Sequence, residues 1–500
     1  MTFTPMASTY RPRLRAHVTA EEGKLVDGLL DRSYPLVGEP AVVAARLDGT
    51  QEWTALRASL VDDGLDAGQL DAALRRFLML HLVEGAGDEA SARLERVIGR
   101  TELVPTVILE GARFGCQGSG GCCTGYAFGP LTDADVARLD ELDLATAFPR
   151  LAPPYVEVND AGRFLRKDGN QCIFLAGDHR CGLHAAFGAE AKPGFCRLYP
   201  LDSFGTVEGI RVVDRGTCAT FGVSARVGLP LAEDIGRVRS LLGAPRLHHP
   251  VVLVDGDAWD FSLYLRFTTA ATALVRLGLG TAPETLNAIG RLLDALALVV
   301  SRCPLEPGQP DEVAARVLSS ADARWYRPAR PAVAARGLES LRVLLAKLGE
   351  SLTTTIKIGV APAMASRLEE LVELLGRTAA RLAAHGAVAG GETPAAALPA
   401  EVDDALRISL RQQLFGRHVL VSGHAGAGLL RIGLIQLLAL AGARERAGTG
   451  PLTAADLSHG HMLSIRGLQT GMVDGILVDH EPSWRGLLDG LELATRIVAA

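Results

Sequence analysis

Apolar residues along this chain fall into three textures. In the first ninety residues, short runs suited to strands (Leu25-Val26 and Tyr34-Pro35-Leu36-Val37) precede segments with helical spacing at Ala41–Leu47, Trp53–Val61 and Gln69–Val83. In the last of these, Leu70, Leu74, Phe77, Leu78 and Leu82 recur at three- and four-residue intervals and mark one apolar face. Asp48-Gly49-Thr50 and Asp62-Asp63-Gly64 supply the turn and cap chemistry between them. Two strands with three helices in this order predict a winged-helix-like α+β unit over residues 1–90.

From about residue 105 to 225 the apolar runs shorten to pieces such as Ile173-Phe174-Leu175, and glycine becomes frequent. Such a stretch has little apolar surface to bury, so a bound metal is the expected source of its folding energy. From about 245 to 500 helical periodicity takes over. Leu368, Leu371, Val372, Leu375 and Leu382 form one stripe, and Trp484, Leu487, Leu488, Leu491 and Val498 form another. Pro/Gly-rich punctuation separates the segments, and the Ala/Gly/Pro-rich run from Gly386 to Pro399 predicts an exposed loop. The expectation is a mainly α protein: the N-terminal unit, a small central cysteine-rich metal domain and a C-terminal helical domain.

The whole-chain quantities narrow the function classes. Five hundred residues exceed what one hydrophobic core usually serves, so roughly two to four domains are expected. A net charge of −6 lacks the basic footprint of a nucleic-acid binder. The most apolar stretch, His418 to Ala443, is divided by Arg431 and predicts a buried helix rather than a membrane span. Met1 to Arg15 contains no apolar run of a secretory leader. The expected location is therefore the cytoplasm, where thiols stay reduced and a cysteine cluster points to metal binding or catalysis.

Seven of the eight cysteines lie between Cys116 and Cys218. The segments read Phe114-Gly115-Cys116-Gln117-Gly118-Ser119-Gly120-Gly121-Cys122-Cys123, then Cys172-Ile173-Phe174-Leu175, then Cys181-Gly182-Leu183-His184, then Lys192-Pro193-Gly194-Phe195-Cys196-Arg197-Leu198-Tyr199-Pro200, then Cys218. Thiolates suit zinc and iron–sulfur clusters, and the glycines permit tight wrapping turns. Adjacent Cys122 and Cys123 are expected to point apart, so that they serve different metals or one lies outside the cluster. Buried thiols and disulfides are the competing readings. His184 is expected to support the site from behind the ligands, His459 and His461 to be surface or loop residues, and Cys303 to be structural. Gly423 to Gly428 has neither a strand before it nor a Lys-Ser/Thr after it, which excludes a phosphate loop. The Cys-x3-Cys-x2-Cys run of radical S-adenosylmethionine enzymes is also missing.

The order of these cysteines over residues 114 to 200 resembles the zinc- or iron-chelating cysteine-cluster family, which includes the flagellin lysine-N-methylases. The resemblance implies a metal centre held by Cys116, Cys122, Cys123, Cys172, Cys181 and Cys196, as an iron–sulfur cluster (the 4Fe–4S form favoured) or as zinc. Ser119 stands where many members of that family carry a cysteine, so Cys218 is the candidate that completes the set. It further implies protein-lysine N-methylation with S-adenosylmethionine as donor, although no donor site is legible. The alternative is a non-catalytic structural, electron-transfer or metal-handling protein. Residues Arg13-Leu14-Arg15-Ala16-His17-Val18, Tyr34-Pro35-Leu36 and Leu47-Asp48-Gly49 are similar to the winged-helix pyrroloquinoline quinone peptide-chaperone family, which implies a peptide or protein partner bound by strand addition.

Overall fold

The computed structural model describes residues 9–84, 105–124, 127–206, 208–242, 250–259, 261–302, 309–320, 322–327, 330–360, 362–386, 398–416, 420–469 and 471–500. Cys303 and most of the Gly386–Pro399 run lie outside them. The described chain is mainly helical, as its periodicity predicts.

At the N-terminus three antiparallel strands, Val18–Glu21, Lys24–Asp27 and Arg32–Pro35, form a sheet with Lys24–Asp27 in the centre. The first strand carries one buried and three exposed residues, which is why its apolar pattern gives no signal. Helices Glu39–Ala44, Trp53–Asp62 and Ala67–Met79 follow. Asp66 caps the last by accepting the Gln69 N–H at 2.9 Å. The Leu70, Leu74, Phe77 face packs on Leu25, Tyr34, Trp53 and Leu60. Ala258, on the Val252–Trp259 hairpin of the C-terminal half, joins this core, and Met79 enters the larger helical one. The N-terminal unit is therefore docked rather than hanging free.

The central segment contains more sheet than its short apolar runs suggest. Strand Leu201–Thr206 pairs antiparallel with Gly209–Asp214, which pairs parallel with Thr106–Ile108. A parallel partner a hundred residues earlier leaves no local signature. Two small cores lie beneath: Leu109, Leu201, Val212, Leu231 and Val238, and separately Phe128, Leu139, Leu165, Ile173, Phe174 and Leu183.

The helical half holds the largest core, with helices Pro331–Ile358, Pro362–Gly386, Ala425–Ala447, Ala454–Leu468 and Trp484–Ala499 packed together. Leu368, Leu371, Leu375 and Leu382 are buried, as are Trp484, Leu487, Leu488, Leu491 and Val498. Ala425–Ala447 is long and apolar enough to cross a membrane, yet 94% of its most apolar window is buried against neighbouring helices. Arg431 within it is buried too, pairing with Asp474 at 3.1 Å and donating to the Leu420 carbonyl at 3.2 Å.

His461 departs from its expected surface position. It is fully buried in the Ala454–Leu468 helix and stacks on Phe221 at 4.7 Å between centroids. Nδ1–H donates to the Gly216 carbonyl at 3.2 Å, and Nε2 accepts from the Ser409 hydroxyl. Isolated residues two apart on a helix face different ways, and here one side is core while His459 stays outside, bonded to Glu370. Burial lowers the His461 pKa from 6.5 to about 4, with the Gly216 bond acting weakly against it.

This depression makes a pH prediction. The unfolded histidine binds a proton below pH 6.5 that the folded one refuses until about pH 4. Its contribution is therefore fully present above 6.5 and lost as the pH falls towards 4, roughly 3 kcal/mol in all. Neighbouring Asp214 runs the other way: burial pushes its carboxyl up to about 7, so its contribution is lost as the pH rises from 3.8 to 7. Urea unfolding of the parent protein and His461→Gln between pH 4 and 7.5 is expected to show the parent's advantage growing by about 3 kcal/mol with rising pH. A constant difference between the two contradicts the assignment.

Candidate metal centre

Each cysteine is positioned by its own local device. Cys116 follows the strand Arg113–Phe114 and is exposed. Cys122 and Cys123 sit in the 3-10 turn Gly121–Cys123. The turn is entered through Gly120 at φ 67°, where an added Cβ would come within 2.4 Å of the His179 carbonyl oxygen. Only glycine combines that left-handed geometry with so close an approach. Ser119 is exposed, and its hydroxyl accepts the Gly121 N–H at 3.4 Å, so it supports the turn.

Cys172 ends the short strand Gln171–Cys172, and Thr124 bridges to Gln171, which draws the turn and the strand together. Leu175 bridges to Cys181, folding the next cysteine back, and Cys181 precedes helix Gly182–Phe187. Cys196 lies in helix Gly194–Leu198. That helix is anchored where the Gly194 N–H donates to Asp135 at 2.8 Å, Asp135 being held in a capping box with Thr132.

These devices bring six thiols, Cys116, Cys122, Cys123, Cys172, Cys181 and Cys196, to the wall of one cavity of ≈ 770 Å³. Contrary to expectation, the neighbours Cys122 and Cys123 do not diverge. Their sulfurs are 3.9 Å apart because the tight turn places both on the cavity side. Cys218 is off the wall, although Thr217 is on it. It is buried beside Phe221 and Ala225, with its sulfur 3.3 Å from the Thr220 hydroxyl. His184 lines the cavity and is exposed. All seven described cysteines are free thiols.

The far wall was not legible in the sequence. Met364, Arg367, Arg466 and Gln469 come from the helical half, and Arg180, Lys192 and Arg215 add further cations. Among the described lining residues there is no Asp or Glu. Nothing in the local sequence around Arg367 or Arg466 marks them, since each is an ordinary polar position on an amphipathic helix.

The electrostatics follow from this lining. Cys122 is drawn below the usual thiol range, first by the hydrogen bond from Cys123 and further by Lys192 and Arg466. Cys123 is correspondingly pushed up by that bond and by burial. Burial pushes Cys172 up to about 11 and raises Cys196 well above its ordinary value, with Lys192 acting against it at Cys196. As bare thiolates, Cys172 and Cys196 would be poorly solvated, which is why burial keeps them protonated. A bound metal cation would take them as thiolates and remove that cost. Among the described residues no group of three or more His, Cys, Asp or Glu is arranged to hold a metal ion. The backbone nonetheless converges six cysteines, with no carboxylate among the described lining residues, on a space larger than one ion needs. That donor set fits a thiolate cluster.

No family model matches the chain, and neither a curated protein nor a solved structure matches it.

Proposed function

We propose that this protein is built around a thiolate-ligated metal centre, an iron–sulfur cluster of the 4Fe–4S kind in preference to zinc. The observation that carries the reading is the convergence of six cysteines from four separate stretches on one cavity walled by cations and free of carboxylates among its described lining. Tetrahedral zinc holds its sulfurs at about 2.3 Å around a point, whereas a cluster spaces its cysteines around a volume. Guanidinium and ammonium groups balance the negative charge of such a centre. A reducing, cytoplasmic location accords with seven free thiols.

Within this reading the centre is structural or transfers electrons, and the winged-helix-like N-terminal unit recruits a peptide. The outer edge of strand Val18–Glu21 is the surface on which an added strand would pair. Protein-lysine N-methylation, implied by the resemblance to the flagellin methylases, is placed second. The cavity volume favours it, being in the range of small-molecule sites. Its charge does not: a sulfonium donor and a lysine ammonium are both cations, and the wall facing them is cationic.

The test is anaerobic purification followed by visible spectroscopy and analysis for iron, acid-labile sulfide and zinc. Broad visible absorption with stoichiometric iron and sulfide is expected. A colourless, zinc-loaded protein refutes the cluster, and a metal-free folded protein refutes the centre altogether.

A further inference from the structure

Two arginines of the helical half reach into the cysteine-bearing segment. Arg367, on helix Pro362–Gly386, donates from Nη2 to the Thr124 carbonyl at 2.6 Å. Arg466, on helix Ala454–Leu468, donates from Nη2 to the Thr217 carbonyl at 2.9 Å and to the Tyr199 hydroxyl at 3.0 Å. The Tyr199 hydroxyl itself donates to the same Thr217 carbonyl at 2.5 Å. The gripped positions are all neighbours of cysteines. Thr124 follows Cys123, Thr217 precedes Cys218, and Tyr199 is three residues beyond Cys196. Both arginines also line the cavity, and Arg466 acts electrostatically on Cys122.

We infer that Arg367 and Arg466 are positioning residues of the metal centre: from the helical half Arg367 holds the backbone next to Cys123, Arg466 holds the cavity-lining Thr217 carbonyl and the Tyr199 hydroxyl, and both set positive charge against the cluster. The inference rests on the metal reading above. It makes the helical half part of the metal site rather than a separate domain packed against it. Hydrogen bonding and local charge are the levers by which a protein sets cluster potentials. A guanidinium remains charged at every working pH, so its influence is constant. Positive charge nearby favours the more negative, reduced form of a cluster, and its removal favours the oxidised form.

Full-length Arg367→Gln, Arg466→Gln and Arg466→Lys, purified anaerobically, separate this role from simple packing. The readouts are iron per chain and a potentiometric titration of the visible spectrum. Each Gln variant is expected to shift the oxidised-to-reduced ratio about tenfold towards oxidised at a given poise, about 59 mV for a one-electron couple. Arg466→Lys is expected to recover most of that shift, because the charge returns even though the forked hydrogen bonding does not. Should Arg466→Gln lose its cluster, the Arg367→Gln and Arg466→Lys titrations still decide. Lower thermal stability with an unmoved potential in the cluster-bearing variants overturns the inference and leaves the metal reading standing. A parent protein without iron overturns both.

Discussion

Cys172→Ser is expected to lose nearly all bound metal and to cost roughly 4 kcal/mol or more in stability. Cys172 is buried on the cavity wall, between the turn that carries Cys122 and Cys123 and the loop that returns Cys181. A hydroxyl there neither ligates a soft metal well nor finds a polar partner in place of it. Cys122→Ser, Cys181→Ser and Cys196→Ser are expected to behave alike, since under the proposed metal reading binding and folding of this sparsely cored segment are one event. Cys218→Ser is expected to retain metal, because its thiol is packed beside Phe221 and bonded to Thr220, off the wall. Metal analysis with urea unfolding checks the series. Retention of full occupancy by Cys172→Ser and Cys181→Ser, or its loss in Cys218→Ser, reverses the ligand assignment.

The second large effect lies in the helical half. Asp474→Ala is expected to destabilise by about 3 kcal/mol, because it leaves the Arg431 guanidinium uncompensated in an apolar core. Burial already works against that charge, lowering its pKa, with Asp474 the main countering influence. Arg431→Met removes the buried charge instead, and Asp474, whose side chain is 25% exposed, remains solvated. That variant is expected to be far closer to the parent in stability. The shift in urea midpoint at constant slope measures both. Equal losses in the two variants contradict a cost arising from the unpaired buried arginine.

The elements with strong internal periodicity are those the sequence determined by itself. The Leu368, Leu371, Leu375, Leu382 stripe and the Trp484, Leu487, Leu488, Leu491 stripe occupy the core faces their spacing implies, because a helix's buried face is set by residues within two turns of each other. The turn glycines and the spacing of the cysteines were legible for the same local reason. Tertiary structure alone decided the rest. Strand Thr106–Ile108 finds its partner only at Ile210–Val212. His461 becomes a core residue only because Phe221, Gly216 and Ser409 arrive from distant segments. Arg367 and Arg466 face the cysteines only because two helices from the far half of the chain pack over the cavity. The sequence named the six cysteines that reach the cavity wall, since the candidate chemistry belongs to the residue type, and wrongly added Cys218 to them. It could not name the charges around them, since a field depends on distances that no local pattern encodes.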